Sequence, residues 1–146
     1  MAPVLVERTV QRPLTAVWAV VSDVAGHRLP LTRVETDPGQ PCVGWGFRAV
    51  SALGPLRLVD AMTVTSWSPP QPDAATAEYA VVKTGRVLGG WARVTLTAVG
   101  PAQTGVRWAE EITLRPHALG ALARPATDLA VGRMFRAAVD EMLARA

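Results

Sequence analysis

A single cysteine, Cys42, is too little for an intramolecular disulfide or a multi-cysteine metal site. Asparagine is absent, so the chain offers no acceptor for an N-linked glycan. Lysine is almost absent as well. Lys83 stands alone among 15 basic residues, and the arginines that make up the rest are dispersed with acids between them. No basic run forms, which argues against nucleic acid as a partner, since such grooves gather positive charge into one stripe. The two histidines, His27 and His117, have no second ligand type at metal spacing, and neither a metal nor any other cofactor is expected. Long apolar runs are missing. The stretch Ala16–Val21 falls far short of the ~20 residues that span a bilayer, so no stable membrane insertion is expected. Glu7 and Arg8 stand where a secretory signal needs its apolar core, and the expected location is the cytoplasm.

What is present suits one globular domain over residues 1–146, with 49% hydrophobic and 18% charged residues and a formal net charge of +3. Twelve glycines and twelve prolines, spread along the whole length, favour many short elements over a helical bundle. Val4, Val6 and Val10 alternate with Leu5, Glu7 and Thr9 in a first strand closed by Pro13. Leu14, Val17, Trp18 and Val21 then recur at helical spacing, and a second short helix is expected over Val24–Leu31. Period-two patterning predicts strands over Leu31–Glu35, Gly44–Leu53, Leu58–Trp67, Glu78–Leu88, Trp91–Val99 and Val106–Arg115. Gly54-Pro55 reads as a hairpin and Gly89-Gly90 as a bend or bulge. After Pro116 the period changes. A helical piece around Leu119–Arg124 ends or kinks at Pro125, and Val131, Met134, Phe135, Ala138, Val139 and Met142 mark a C-terminal helix over Ala126–Ala144. Arg136–Asp140 and Glu141–Arg145 are spaced as i,i+4 ion pairs on its other side.

This order of elements, with Val17-Trp18 before Ser22-Asp23, Gly44-Trp45-Gly46-Phe47, Met62 through Trp67-Ser68-Pro69-Pro70, and Trp108-Ala109-Glu110-Glu111 in the last strand, resembles the polyketide cyclase/dehydratase-like branch of the START / Bet v 1-like (SRPBCC) superfamily. The resemblance covers nearly the whole chain. It implies an α+β helix-grip fold, a curved seven-stranded antiparallel sheet around a long C-terminal helix, with two short helices after the first strand. It further implies an apolar cavity between sheet and helix that binds a small hydrophobic molecule of lipid or polyketide type. The alternative is a cofactor-independent cyclase, aromatase or dehydratase. Fold alone decides little about chemistry, because such scaffolds host several functions.

Other motifs carry less. Gly44-Trp45-Gly46-Phe47-Arg48-Ala49 spells a G-x-G-x-x-A, but a proline-rich turn precedes it and strand alternation follows, so it lacks the strand-to-helix setting of a dinucleotide site. His27 is expected in a surface helix beside Arg28, and His117 just after the last strand, each with a structural or solvated role. The five tryptophans are core residues by default. Phe47, Met62, Tyr79, Trp108, Met134 and Phe135 lie on the strand and helix faces expected to converge on the cavity, and with Glu110 they form the candidate ligand-binding set. Arg8, Asp60 and Glu110 are charged residues on apolar parities. Each is either structurally paired or exposed at a rim, or else serves the ligand. With Tyr79 they are the candidate acid/base or carbonyl-polarising groups, and Arg8 is the expected partner of Glu110 across the first and last strands. A homodimer remains compatible with the pattern.

Overall fold

In a computed structural model of the chain, residues 2–115 and 132–146 are described. The expected helical piece at Leu119–Arg124, the kink at Pro125, His117, Val131 and the first turns of the C-terminal helix lie outside them. The described residues form seven strands: β1 (Val4–Val10), β2 (Thr32–Thr36), β3 (Gly46–Leu53), β4 (Leu56–Ser68), β5 (Thr76–Lys83), β6 (Leu88–Gly100) and β7 (Gln103–Leu114). Helix α1 (Leu14–Val21) and a single 3-10 turn (Val24–Gly26) separate β1 from β2, and helix α2 runs over 132–143.

All strands belong to one antiparallel sheet in the order β1-β7-β6-β5-β4-β3-β2. Successive strands from β2 to β7 are neighbours, joined by two-residue turns at β3–β4 and β6–β7 and by longer loops elsewhere, while α1 and the 3-10 turn carry the chain from one edge of the sheet to the other. Gly54-Pro55 makes the β3–β4 hairpin between the paired Leu53 and Leu56, with Gly54 in the left-handed region at φ 56°. This is the α+β helix-grip architecture, with the sheet left open at β1 and β2.

Alternation puts one set of side chains on the concave face. On β6, Ala92, Val94 and Leu96 are buried while Arg93 and Thr97 are exposed. Val6, Val17, Val21, Val64, Val94, Leu96 and Val139 are almost wholly removed from water and join sheet, α1 and α2 in one core. Burying a side chain of this size contributes roughly 1.5–3 kcal/mol. Trp18, Trp67 and Tyr79 stack against one another, with ring centroids 5.2 to 6.0 Å apart, and fasten α1 to the sheet.

Three local expectations need correction. The second helix is one turn rather than Val24–Leu31. Asp23 Oδ1 accepts from the Gly26 amide, but His27 is already extended and Pro30 follows, which stops propagation. Gly89-Gly90 is no bulge, since β6 stays in register with β7 through Leu88, Gly89 and Gly90. The irregularities fall instead between Val64 and Ser66 and between Ala98 and Gly100. On α2, Asp140 pairs with Arg8 of β1, and Arg145 turns its guanidinium to the carbonyls of Glu141 and Gly26, so those two groups are engaged across the fold and on backbone rather than in i,i+4 pairs.

Candidate functional site

Between the concave face, the 3-10 turn and α2 lies a cavity of about 200 Å³. Phe47 (β3), Met62 (β4), Tyr79 (β5), Trp108 (β7) and Phe135 (α2) supply its apolar walls, and the Trp108 and Phe135 rings meet edge to face at 5.5 Å. Met134 reaches the cavity from α2 but stays largely exposed, at its rim. Asp60 and Glu110 also line it, so the structure brings every expected ligand-binding residue to one space.

Arg8 is the exception. Its parity is as expected, but the register pairs Val4 with Glu110 and Arg8 with Val106. Four residues at ~3.3 Å each therefore hold Arg8 about 13 Å along the strand from Glu110. It reaches α2 instead, where its Nε donates to Asp140 Oδ1 at 2.7 Å in an exposed ion pair.

The partner of Glu110 is Lys83, which sequence reasoning passed over. Lys83 is buried at 2% exposure at the end of β5, with Nζ 2.9 Å from Glu110 Oε1 and donating to Asp60 Oδ2 at 2.6 Å. Strand pairing explains how a β5 lysine meets a β7 glutamate. On the intervening β6, Gly90 stands opposite Lys83 and Ala92 opposite Glu110, so almost no side chain separates them. Gly90 is at φ 118°, and a Cβ there would run into the backbone of Glu111, so the position admits only glycine.

One ammonium and two carboxylates leave this buried cluster one negative charge in excess. Burial pushes the Glu110 carboxyl up, the ammonium of Lys83 draws it back, and Asp60 pushes it up again, with a net rise. For Lys83, burial alone favours the neutral amine, but Glu110 and Asp60 together outweigh it and its pKa is raised. Both partners of the pair thus hold protons more tightly than usual, which is how a low-dielectric site sheds surplus negative charge. Asp60 Oδ1 and Trp108 Nε1 are buried without a hydrogen-bond partner among the described residues.

Tyr79 contributes its ring to the cavity wall, while its hydroxyl donates to the Val21 carbonyl at 2.9 Å; burial and then Glu110 raise its pKa strongly. His27 is not in a surface helix. It folds over the cavity with its ring 6.1 Å from Trp108, and its Nε2, 3.1 Å from the same Val21 carbonyl, is the donor there because a carbonyl only accepts. Burial lowers its pKa, outweighing the hydrogen bond to Val21 and the nearby Asp23 charge. A signal for Lys83 existed: the only lysine shares strand parity with Tyr79 and Val81. None existed for His27, whose placement depends on how the turn docks.

The fold is a helix-grip scaffold with a part-polar cavity between its sheet and α2. The family model described as "Polyketide cyclase / dehydrase and lipid transport" matches residues 1–146, and the chain belongs to that family. No curated protein sequence matches it. A protein of Thermus thermophilus superposes with TM-score 0.75 at 14% identity, covering 98% of this chain and 95% of that one. The Zhui aromatase/cyclase of a Streptomyces species gives 0.69 at 19% identity over 97% and 91%. Norcoclaurine synthase of Thalictrum flavum, in complex with dopamine and hydroxybenzaldehyde, gives 0.65 at 15% identity over 98% and 84%. At these identities the likeness is one of fold. Among the described residues no helix is long and apolar enough to cross a membrane.

Proposed function

We propose that the protein binds a small hydrophobic molecule, of lipid or polyketide type, in the cavity between the sheet and α2. The observation that carries this reading is an apolar, aromatic-walled space with the Asp60–Lys83–Glu110 cluster as its buried charged end. Specific small-molecule sites are commonly apolar pockets with a few placed polar groups. The aromatase/cyclase and the synthase of the same fold support a cavity suited to aromatic compounds. The reading assigns no role to nucleic acid or stable membrane insertion, and it is compatible with a homodimer, since β1 and β2 are open edges. Native mass spectrometry of freshly purified protein tests it. A co-purified small mass, or uptake of an apolar dye with quenching of tryptophan fluorescence, is expected. A protein that takes up no member of a broad apolar panel overturns the reading.

One observation favours a second reading, a cyclase or dehydratase. Glu110, whose pKa burial raises, stands at the cavity wall next to Lys83, an arrangement suited to passing a proton to a carbonyl oxygen of a bound poly-β-keto chain, with Asp60 nearby to take one up. Tyr79 has its hydroxyl committed to Val21 and Arg8 lies outside the cavity lining, so Glu110 and Asp60 are the acid/base pair of this reading. Glu110→Gln abolishing turnover while a ligand still binds would support it over binding alone.

A further inference from the structure

We propose that the end of the sheet formed by the β3–β4 hairpin, the β5–β6 loop and the end of β7 docks reversibly on an anionic lipid bilayer surface, with no segment crossing it. The inference goes beyond the ligand-binding reading and stands on a different part of the molecule. The described residues at this end, 28–33, 51–59, 84–89 and 112–115, hold Arg28, Arg33, Arg57, Arg86 and Arg115, all exposed, and no aspartate or glutamate. At the opposite end, residues 11–13, 37–45, 69–75 and 101–102 carry Arg12 against Asp37 and Asp73. On the adjoining outer face Glu35 is paired by Arg33 and Arg48 and lies within reach of the Arg57 charge, so one acid meets three arginines and the positive excess remains.

The basic end also exposes apolar side chains. Leu31 is 67% and Leu56 71% exposed, and Leu58 and Val87 are exposed as well. Residues 56–61 run past the point where β4 stops pairing with β5, Met62 opposite Lys83, so the hairpin tip projects. Leu31 is the only non-glycine at positive φ among the described residues, at 58°, and it gains no burial in exchange for that unfavourable backbone. Leu31, Arg33, Leu56 and Arg57 line one groove over the buried Val50. A guanidinium holds a phosphate group through two parallel N–H···O bonds, and binding to an anionic interface grows with charge attraction and with the apolar area sunk into it. A folded acidic protein needs a socket for each of these separate tips, and nucleic acid has no use for the leucines; a fluid anionic layer uses both. The cavity faces the same way. Arg8 and Arg12, toward the opposite end, hold Asp140 and the Ala146 carbonyl, so α2 begins at the basic end, and its exposed Met134 sets the cavity rim there. Docking turns that rim toward the layer.

Flotation of the intact protein with vesicles of phosphatidylcholine alone and of phosphatidylcholine mixed with phosphatidylserine tests the proposal. Binding to the mixed vesicles is expected to be at least about tenfold tighter, and to be lost in high salt. Arg57→Gln with Arg86→Gln should weaken it about 25-fold, at about fivefold per arginine. Arg93→Gln with Arg107→Gln removes the same charge from the exposed outer face of β6 and β7 and should change it little. Leu56→Ser should weaken it about threefold to tenfold. The substituted side chains are exposed, and thermal midpoints check the fold; should Arg57→Gln with Arg86→Gln not fold, Leu56→Ser and the vesicle and salt comparisons decide. Equal binding to both vesicle types, equal losses in the two double variants, or a Leu56→Ser protein that floats like the parent overturns the proposal. So does tighter binding to polyglutamate or duplex DNA than to the mixed vesicles, which would make the partner a protein or a nucleic acid. None of these outcomes touches the ligand-binding reading, which stands or falls on uptake of small molecules without vesicles.

Discussion

Two ion pairs in this protein have nearly the same geometry and opposite surroundings. Lys83 meets Asp60 at 2.6 Å with side-chain exposures of 1% and 18%; Arg8 meets Asp140 at 2.7 Å with 38% and 51%. Distance does not separate them; solvent does. At the rim, water screens both charges whether or not they pair, so the contact adds little. Inside the cavity each charge has lost its hydration, and the pair is what keeps the loss tolerable. The interior cluster is therefore demanding rather than stabilising, and its presence on the wall of an apolar space points to use. Arg33–Glu35 and Arg107–Glu7, on exposed stretches, belong with the rim pair.

The sharpest way to break this contrast is to remove the lysine. Lys83→Met leaves Asp60 and Glu110 buried without a cation, and the loss should be about 3–5 kcal/mol in urea-unfolding free energy. Adding Asp60→Asn and Glu110→Gln to Lys83→Met should recover most of it, because a neutral pocket has no desolvated charge to compensate. A Lys83→Met protein as stable as the parent would show that water reaches the cluster as freely as it reaches the rim.

Next in size is the hydrogen bond that ties the cavity wall to α1. Tyr79→Phe removes the donor to the Val21 carbonyl and should cost about 0.5–1.5 kcal/mol in the same assay. His27 still donates to that carbonyl, which keeps the loss from exceeding the range of a single bond.

A smaller effect is expected in the pH dependence of stability. Because the native pKa of Glu110 is raised, the folded state binds more protons than the unfolded state above the ordinary glutamate range, and stability falls as pH rises from that range to the native value. Glu110→Gln should lack this decline. The difference between the two proteins is smallest at acid pH, grows through the window and then levels off. Chemical denaturation at a series of pH values reads it. Parallel curves would mean that Glu110 titrates as an ordinary surface carboxylate.

How much of this was legible in the sequence follows a physical line. Parity survives in a sequence because side chains alternate regardless of partner, so Phe47, Met62, Tyr79, Trp108 and Glu110 were assigned to the cavity face without a structure. Register does not survive, because which residue stands opposite which depends on turn lengths and on the long connection from β1 to the other edge. The Arg8–Glu110 expectation failed on register alone. The Lys83–Glu110 contact depends on two registers at once, across a strand that happens to present Gly90 and Ala92. His27 depends on the docking of a short turn, for which local sequence carries no pattern.

The smallest expected effect is at Arg8, and it separates the sequence-level pairing from the observed one most cleanly. If Arg8 compensated Glu110, Arg8→Ala would leave a buried carboxylate alone and cause a loss on the scale of Lys83→Met. In the observed structure it leaves only Asp140, which is half exposed and is solvated by water once the guanidinium is gone. Arg8→Ala should therefore leave the thermal midpoint close to that of the parent, and whatever difference remains should vanish in high salt, where exposed charges are screened. The same hydrogen bond to Arg8 lowers the Asp140 pKa, so the small contribution of the pair is present above the ordinary aspartate range and lost as pH falls through the native value. Lys83→Met should show neither property, since salt does not reach a buried cluster. A large, salt-independent loss in Arg8→Ala would mean that the register of β1 on β7 is shifted by four residues, and with it the whole assignment of which charges are inside.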